Sequence, residues 1–229
     1  MKNALIIFTR VPVAGQTKTR LMPYLTGEEC KSLHESFLKD LFCKVKAVNA
    51  DVFVFFTPED KEGLLRETVG EEIVGVAQHG QDLGERMKNA IGMVLKKGYE
   101  KAVLIGTDIP QIEAETLEQA FISLDDNDIV IHPTYDGGYY LIGMKKEYES
   151  IWKIERYGTN TVIEDTLSHM KREELLVAVG KQYYDIDDRD DLMSLYKDIE
   201  KGQIINCPVT AQYIKNNLRD RLEKENEEL

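Results

Sequence analysis

Three cysteines, four histidines and one tryptophan in 229 residues leave little material for disulfide or zinc chemistry. Cys30, Cys43 and Cys207 are widely spaced and odd in number, so a reducing cytoplasm is the simplest home for the chain. His34, His79, His132 and His169 show no ligand spacing and read as structural or surface groups. Long apolar runs are lacking, which excludes a membrane-spanning helix, and Met1-Lys2-Asn3 leads straight into a strand without a signal peptide. Positive charge is scarce: 29 Lys and Arg against 41 Asp and Glu give a net charge of −12. That balance argues against a nucleic-acid polymer as partner, which wants a basic face. Linkers, low-complexity segments and internal repeats are missing too, so residues 1–229 read as one domain with a substantial core.

The two familiar phosphate loops are also absent. A Walker A loop needs Gly directly before its Lys, where Thr17 stands, and Gly15 is the only glycine before residue 27, which excludes G-x-G-x-x-G. What is present is Ala4–Pro23, an apolar run followed by a loop with Pro12, Gly15, Thr17, Lys18, Thr19 and Arg20. A cationic, hydroxyl-bearing loop after an N-terminal strand suits phosphate, with Lys18 and Arg20 neutralising the oxygens. In an extended segment Lys18 and Arg20 would share one side and Thr17 and Thr19 the other. A solvated basic surface is the bland alternative.

Along the chain, strands are expected at Ala4–Phe8, Asp51–Phe56, Ile73–Ala77, Lys101–Ile105, Asp128–His132, Tyr139–Met144 and Leu175–Val179. Helices fall between them: one opened by the capping box at Thr26–Glu29, one started by Thr57-Pro58 and running to about Thr68, then Leu83–Lys97 and Ala114–Leu124. Further helices follow at about Thr161–Met170, from Asp188 through Ile199, and from Pro208 into a charged tail at Glu223–Leu229. The Tyr135–Gly138 turn joins two strands with no helix between them, an antiparallel excursion in an otherwise parallel sheet. The class is α/β, a three-layer α/β/α domain with a mixed, mostly parallel sheet and a C-terminal helix and acidic tail from about residue 207.

Ligands of such sheets bind outside the carboxyl ends of the strands. This selects Asp108 in Gly106–Pro110, Asp136 before Gly137-Gly138, and Asp185 and Asp187 after the last strand. Asp108 with Asp187 or Asp185 could hold Mg²⁺ or Mn²⁺, because hard divalent ions combine one or two carboxylates with substrate phosphates. Helix capping by Asp185, Asp187 or Asp188, and an ordinary Asp-Gly turn at Asp136, are the structural alternatives.

Together, Phe8…Pro12…Gly15…Lys18-Thr19-Arg20-Leu21…Pro23, Asp82–Met87, Gly106–Pro110, Asp136–Gly143 and Asp185-Ile186-Asp187…Asp191-Leu192 resemble a bacterial family of GT-A-type glycosyltransferase-like proteins. That family belongs to the nucleotide-diphospho-sugar transferase superfamily, and some members are associated with arsenosugar biosynthesis. The loop and first helix also look like those of the 2-phospho-lactate guanylyltransferases. The resemblance covers about residues 4–195 in five ordered blocks. It departs at Thr9-Arg10 and at Tyr157–Asn160, which leaves the acceptor uninferred.

The resemblance implies a GT-A fold, a nucleotide over the first loop and a divalent ion on Asp108 with help near Asp187. The first reading is a metal-dependent glycosyltransferase using a nucleotide sugar. In it Gly15, Thr17, Lys18, Thr19 and Arg20 grip the diphosphate, while Gln81, Asp82 and Arg86 touch ribose or base. Asp136 holds or deprotonates the hydroxyl of a small-molecule acceptor, beside Gly137, Gly138 and Tyr139. The alternatives are a nucleotidyltransferase that releases pyrophosphate, since two cations suit a triphosphate, and a nucleotide-binding paralogue without chemistry.

Overall fold

Strand β1 (Asn3–Arg10) buries both of its faces: Leu5 and Ile7 point into one core cluster, Ala4 and Ile6 into the other. Side chains alternate across a strand, so an unbroken apolar run demands cover on both sides. The computed structural model describes residues 2–154, 157–204 and 206–227. It supplies that cover with helices in a three-layer arrangement.

The other strands are β2 (Asp51–Thr57), β3 (Val74–Ala77), β4 (Lys101–Ile105), β5 (Ile129–Pro133), β6 (Tyr139–Met144) and β7 (Val177–Val179). They form one seven-stranded sheet in the order β3-β2-β1-β4-β6-β5-β7. β6 runs antiparallel to both its neighbours and every other pairing is parallel, as the helix-free turn at Tyr135–Gly138 implied. The chain leaves β1 toward β2 and β3, then returns to place β4 on the other side of β1. The crevice at such a reversal is where open α/β sheets bind ligands.

The helices are α1 (Gly27–Val45), α2 (Glu62–Val69), α3 (Leu83–Lys96), α4 (Ala114–Asp126), α5 (Val162–Arg172), α6 (Arg189–Glu200), α7 (Pro208–Asn217) and α8 (Arg219–Glu227). Leu38 and Leu41 of α1 and Leu117 and Phe121 of α4 cover one face of the sheet, and Met87, Ile91 and Val94 of α3 with Met170 of α5 cover the other. A third cluster joins Leu33 and Phe37 of α1 to Leu195 and Ile199 of α6, Ile214 of α7 and Leu222 of α8. The capping box at α1 forms as expected: Glu29 N–H donates to Thr26 Oγ1 (3.2 Å) and Thr26 N–H donates to Glu29 Oε2 (2.7 Å).

Two expectations need correction. Pro58 is extended (φ −77°, ψ 154°), so a 3₁₀ turn at Glu59–Lys61 intervenes and α2 starts only at Glu62. The C-terminal segment is two helices rather than one, and it is tied down. Both oxygens of the buried Asp40 in α1 accept from the first amides of α7, Val209 N–H at 3.0 Å and Thr210 N–H at 2.8 Å. Arg221 of α8 makes a two-pronged pair with Glu29, at 3.0 Å on each oxygen. Glu228 and Leu229 of the expected charged tail, like Met1 ahead of β1, lie outside the described residues.

Candidate nucleotide and acceptor cleft

The loop after β1 folds on its own threonine. Thr17 Oγ1 donates to Val11 O and accepts from Val13 N–H, both at 3.0 Å, so its hydroxyl closes the loop from inside. Gly15 takes φ +77° against the start of α1, where a Cβ on Gly27 would stand 2.8 Å from Gly15 N. Lys18 then turns left-handed (φ 52°, ψ 43°) and Thr19–Leu21 closes a 3₁₀ turn. The stretch is therefore not extended, and Lys18 and Arg20 part company.

Lys18 is a buried cation, its side chain 4% exposed, whereas the Arg20 side chain is 67% exposed. Lys18 Nζ donates to Ile186 O (2.6 Å) and pairs with Asp108 Oδ1 (2.5 Å) and Asp187 Oδ1 (3.3 Å). Arg20 Nη1 takes the other Asp187 oxygen at 3.0 Å. Ile186 N–H donates to Asp108 O (2.9 Å), which fastens the turn after β7 onto the turn after β4. One ammonium thus gathers three strand-end loops. Burial opposes the charge on Lys18, but the Asp108 and Asp187 carboxylates prevail and raise its pKa. Desolvation of the Asp108 carboxyl is likewise outweighed by Lys18, which holds it below the usual carboxylate range.

Two cavities open side by side on this frame. The larger, ≈ 500 Å³, is lined by Arg10, Thr17, Lys18, Thr19, Arg20 and Arg86 together with Asp108 and Asp187. The smaller, ≈ 250 Å³, is lined by Asp108, Asp136, Asp185, Asp187, Gly138 and Tyr139. Arg20, Asp108 and Asp187 border both, so the two are lobes of one cleft, cationic on one side and acidic on the other.

Most of the residues singled out from sequence meet here, and some do not. Gln81 and Asp82 do not line either lobe: Asp82 caps α3, its Oδ1 accepting from Glu85 N–H at 2.8 Å, and Gln81 N–H is bound by Glu85 Oε2. Gly15 serves loop geometry and Gly137 the turn, rather than the walls. Gly137 has φ +89°, and a Cβ there would run into the backbone of Asn160. Asp136 is fixed by this turn, its Oδ1 accepting from Thr134 Oγ1 (2.5 Å) and Gly138 N–H (3.1 Å).

Other wall residues were not singled out. His34 of α1 reaches the larger lobe, its Nε2 donating to Arg10 O at 3.2 Å, and burial lowers its pKa to about 4, which keeps the ring neutral. A histidine seven residues before Leu41, on the buried stripe of α1, was the available signal. Gln78 clamps the ends of β1 and β2 by donating to Thr9 O (3.1 Å) and Phe55 O (3.0 Å). Tyr157 and Thr159 line the acidic lobe, in the stretch where the family resemblance departs.

The donor chemistry suits a hard divalent cation. Burial first, and then the Asp187, Asp136 and Asp108 carboxylates, push Asp185 up to about 7. Among the described residues no three acidic, histidine or cysteine side chains converge tightly enough to enclose an ion. One or two carboxylates completed by phosphate oxygens and water match Mg²⁺ or Mn²⁺ better than an all-protein cage.

Residues 41–159, more than half of the chain, match the family DUF2064, "Uncharacterized protein conserved in bacteria". The chain belongs to this family. A 2-phospho-L-lactate guanylyltransferase of Methanocaldococcus jannaschii is 30% identical over 146 residues, 60% of this chain and 59% of that one. The Methanobrevibacter ruminantium protein of the same name is 28% identical over 200 residues, 81% of this chain and 83% of the relative. The DUF2064 chain therefore spans under two thirds of the first relative and most of the second. A crystal structure from Desulfovibrio desulfuricans G20, named with reserve as a nucleotide-diphospho-sugar transferase, superposes with a TM-score of 0.91 at 30% identity over 98% of each chain. The DUF2064 chain has that transferase fold, and its curated relatives are transferase enzymes.

Proposed function

We propose that this protein is a nucleotidyltransferase that joins a nucleoside monophosphate to a small acceptor and releases pyrophosphate. The observation that carries this reading is the cationic lobe: Arg10, Lys18, Arg20 and Arg86 around ≈ 500 Å³, opening directly onto an acidic lobe. Four cations match a triphosphate better than a sugar diphosphate needs, and the names of the curated relatives support the same chemistry.

Arg20, exposed and held by Asp187 through one of its nitrogens, grips the phosphates with the rest of its guanidinium, and Lys18 holds the loops that present them. Asp136, oriented by Thr134 and Gly138, accepts the proton of the acceptor hydroxyl as its oxygen attacks the α-phosphorus. The bond from that phosphorus to pyrophosphate breaks, and the charge leaves toward the cationic wall. Asp108 and Asp187, with Asp185, would hold Mg²⁺ or Mn²⁺, which when bound neutralises phosphate charge and stabilises the leaving group.

The test is pyrophosphate release from nucleoside triphosphates with Mg²⁺ and a panel of acceptors, some offering a hydroxyl and one, 2-phospho-L-lactate, offering a phosphate oxygen. The expected result is acceptor-dependent pyrophosphate that is lost in Asp136→Asn. Glycosyl transfer is the second reading, favoured by the D. desulfuricans neighbour. Turnover of nucleotide sugars with no pyrophosphate from any triphosphate would select it instead.

A further inference from the structure

The charge of the smaller lobe carries information about the acceptor that the reaction class alone does not. Four carboxylates, Asp108, Asp136, Asp185 and Asp187, face ≈ 250 Å³, and Arg20 is the lobe's sole cationic wall residue among the described residues. That arginine is already engaged, its Nη1 lying 3.0 Å from Asp187 Oδ2, and Lys18 pairs with Asp108 and Asp187 from the larger lobe, so Asp136 and Asp185 are the lobe's carboxylates outside any ion pair among the described residues. Asp136 is locked in place by two hydrogen bonds to one oxygen, so it cannot swing away from an incoming ligand. The remaining walls are neutral and include Tyr139, Tyr157, Thr134 and Thr159.

An anionic acceptor placed here would meet like charges in a partly desolvated cleft and no unpaired cation. A divalent ion on Asp108 and Asp187, with Asp185, would offset part of that charge, but it would be shared with the triphosphate and would leave Asp136 facing the acceptor. A hydroxyl, by contrast, donates to a carboxylate and is strengthened by its charge. The volume equals that of about eight waters at ~30 Å³ each, the size of a small polyol or sugar.

We propose that the acceptor is a small hydroxyl-bearing molecule without negative charge, recognised by Asp136 and the neutral tyrosine and threonine walls of this lobe. The inference rests on the transferase reading above and names its substrate class. The step balances as an acceptor hydroxyl plus a nucleoside triphosphate giving a phosphodiester, pyrophosphate and one proton taken by Asp136.

The experiment measures kcat/KM for pyrophosphate release with size-matched acceptors: neutral polyols and monosaccharides, amino alcohols, and phosphorylated hydroxy acids. Neutral or amine-bearing acceptors should be preferred over phosphorylated ones by at least about ten-fold. Thr159→Arg, which adds a cation to the lobe without removing a carboxylate, should narrow that preference. Pyrophosphate released chiefly with phosphorylated acids, or a preference that Thr159→Arg leaves untouched, overturns the acceptor class while the nucleotidyl reading stands. If no triphosphate yields pyrophosphate, the same panel is run with nucleotide sugars. An unchanged preference for uncharged acceptors then supports the acceptor class alone, and no turnover from either donor overturns both.

Discussion

Lys18 does two jobs that pull against each other in an alanine scan. Read as a solvated loop charge, it should matter to ligands and not to the fold. Its side chain is in fact 4% exposed and sits between Asp108 and Asp187. Removing it leaves Asp108 without its lysine counter-ion and Asp187 with Arg20 alone. Loss of one member of a fully buried pair costs about 3–5 kcal/mol, and these two carboxylates keep part of their exposure to water, so we expect Lys18→Ala to cost about 2 kcal/mol in chemical denaturation. Its loss of nucleotide affinity will therefore mix binding with misplacement of the loops. The reason is invisible locally: Lys18 and Asp187 are 169 positions apart. Strand-end position alone was enough to select Asp108, Asp136 and Asp187, since a parallel sheet brings those ends together whatever the details. Who pairs with whom at that edge depends on the left-handed turn at Lys18, which has no sequence signature in a lysine. A second residue-scale expectation concerns pH. His132 is buried, its Nδ1 bonded to Tyr140 Oη at 2.8 Å, and burial lowers its pKa to about 4 from an ordinary 6.5. The unfolded chain then binds the extra proton first. The stability due to a neutral His132 is complete above pH 6.5 and drains away as pH falls toward 4, by roughly 2–3 kcal/mol. Unfolding curves of the wild type and His132→Gln should diverge in slope over that window. Parallel curves would show that the buried ring is not what titrates.

At the scale of elements, the turn between β5 and β6 shows how a short motif sets a site. Asp-Gly-Gly is an ordinary turn signal, and the sequence made its position plain. What it did not show is that Gly137 presses on Asn160 while its carbonyl accepts from Ile163 N–H at 2.9 Å, docking the turn onto the entry to α5. Gly137→Ala meets both a positive φ and a backbone collision, and we expect it to cost about 2–4 kcal/mol or to displace Asp136. Circular-dichroism melts together with acceptor-dependent turnover measure the two effects. Wild-type values in both would mean the turn is freely adaptable. The start of α2 and the break between α7 and α8 were missed for the opposite reason. Pro58 and Leu218 mark boundaries whose placement is decided by extended backbone and by packing, not by helix propensity.

The whole molecule is a sheet whose reversal between β1 and β4 creates the crevice, with a C-terminal pair of helices closing one flank. The apolar runs made the sheet legible, because strands buried on both faces have little choice of residue. The C-terminal docking was illegible, since it hangs on Asp40, an acidic residue inside α1 that accepts the first amides of α7. Asp40→Ala should leave those buried donors unpaired, and we expect a loss of about 2–3 kcal/mol by denaturant unfolding, with nucleotide affinity unchanged. The central claim is that the cleft over β1 and β4 binds nucleotide through its cationic wall. Arg20 is the group to remove, because it is 67% exposed and its loss should barely affect the fold. The deciding measurement is calorimetric titration of a nucleoside triphosphate with Mg²⁺ into wild type and Arg20→Ala. A lost charge-assisted contact of roughly 1.5–3 kcal/mol predicts affinity about ten- to a hundred-fold weaker in the variant. Equal affinity in the two proteins would contradict the account.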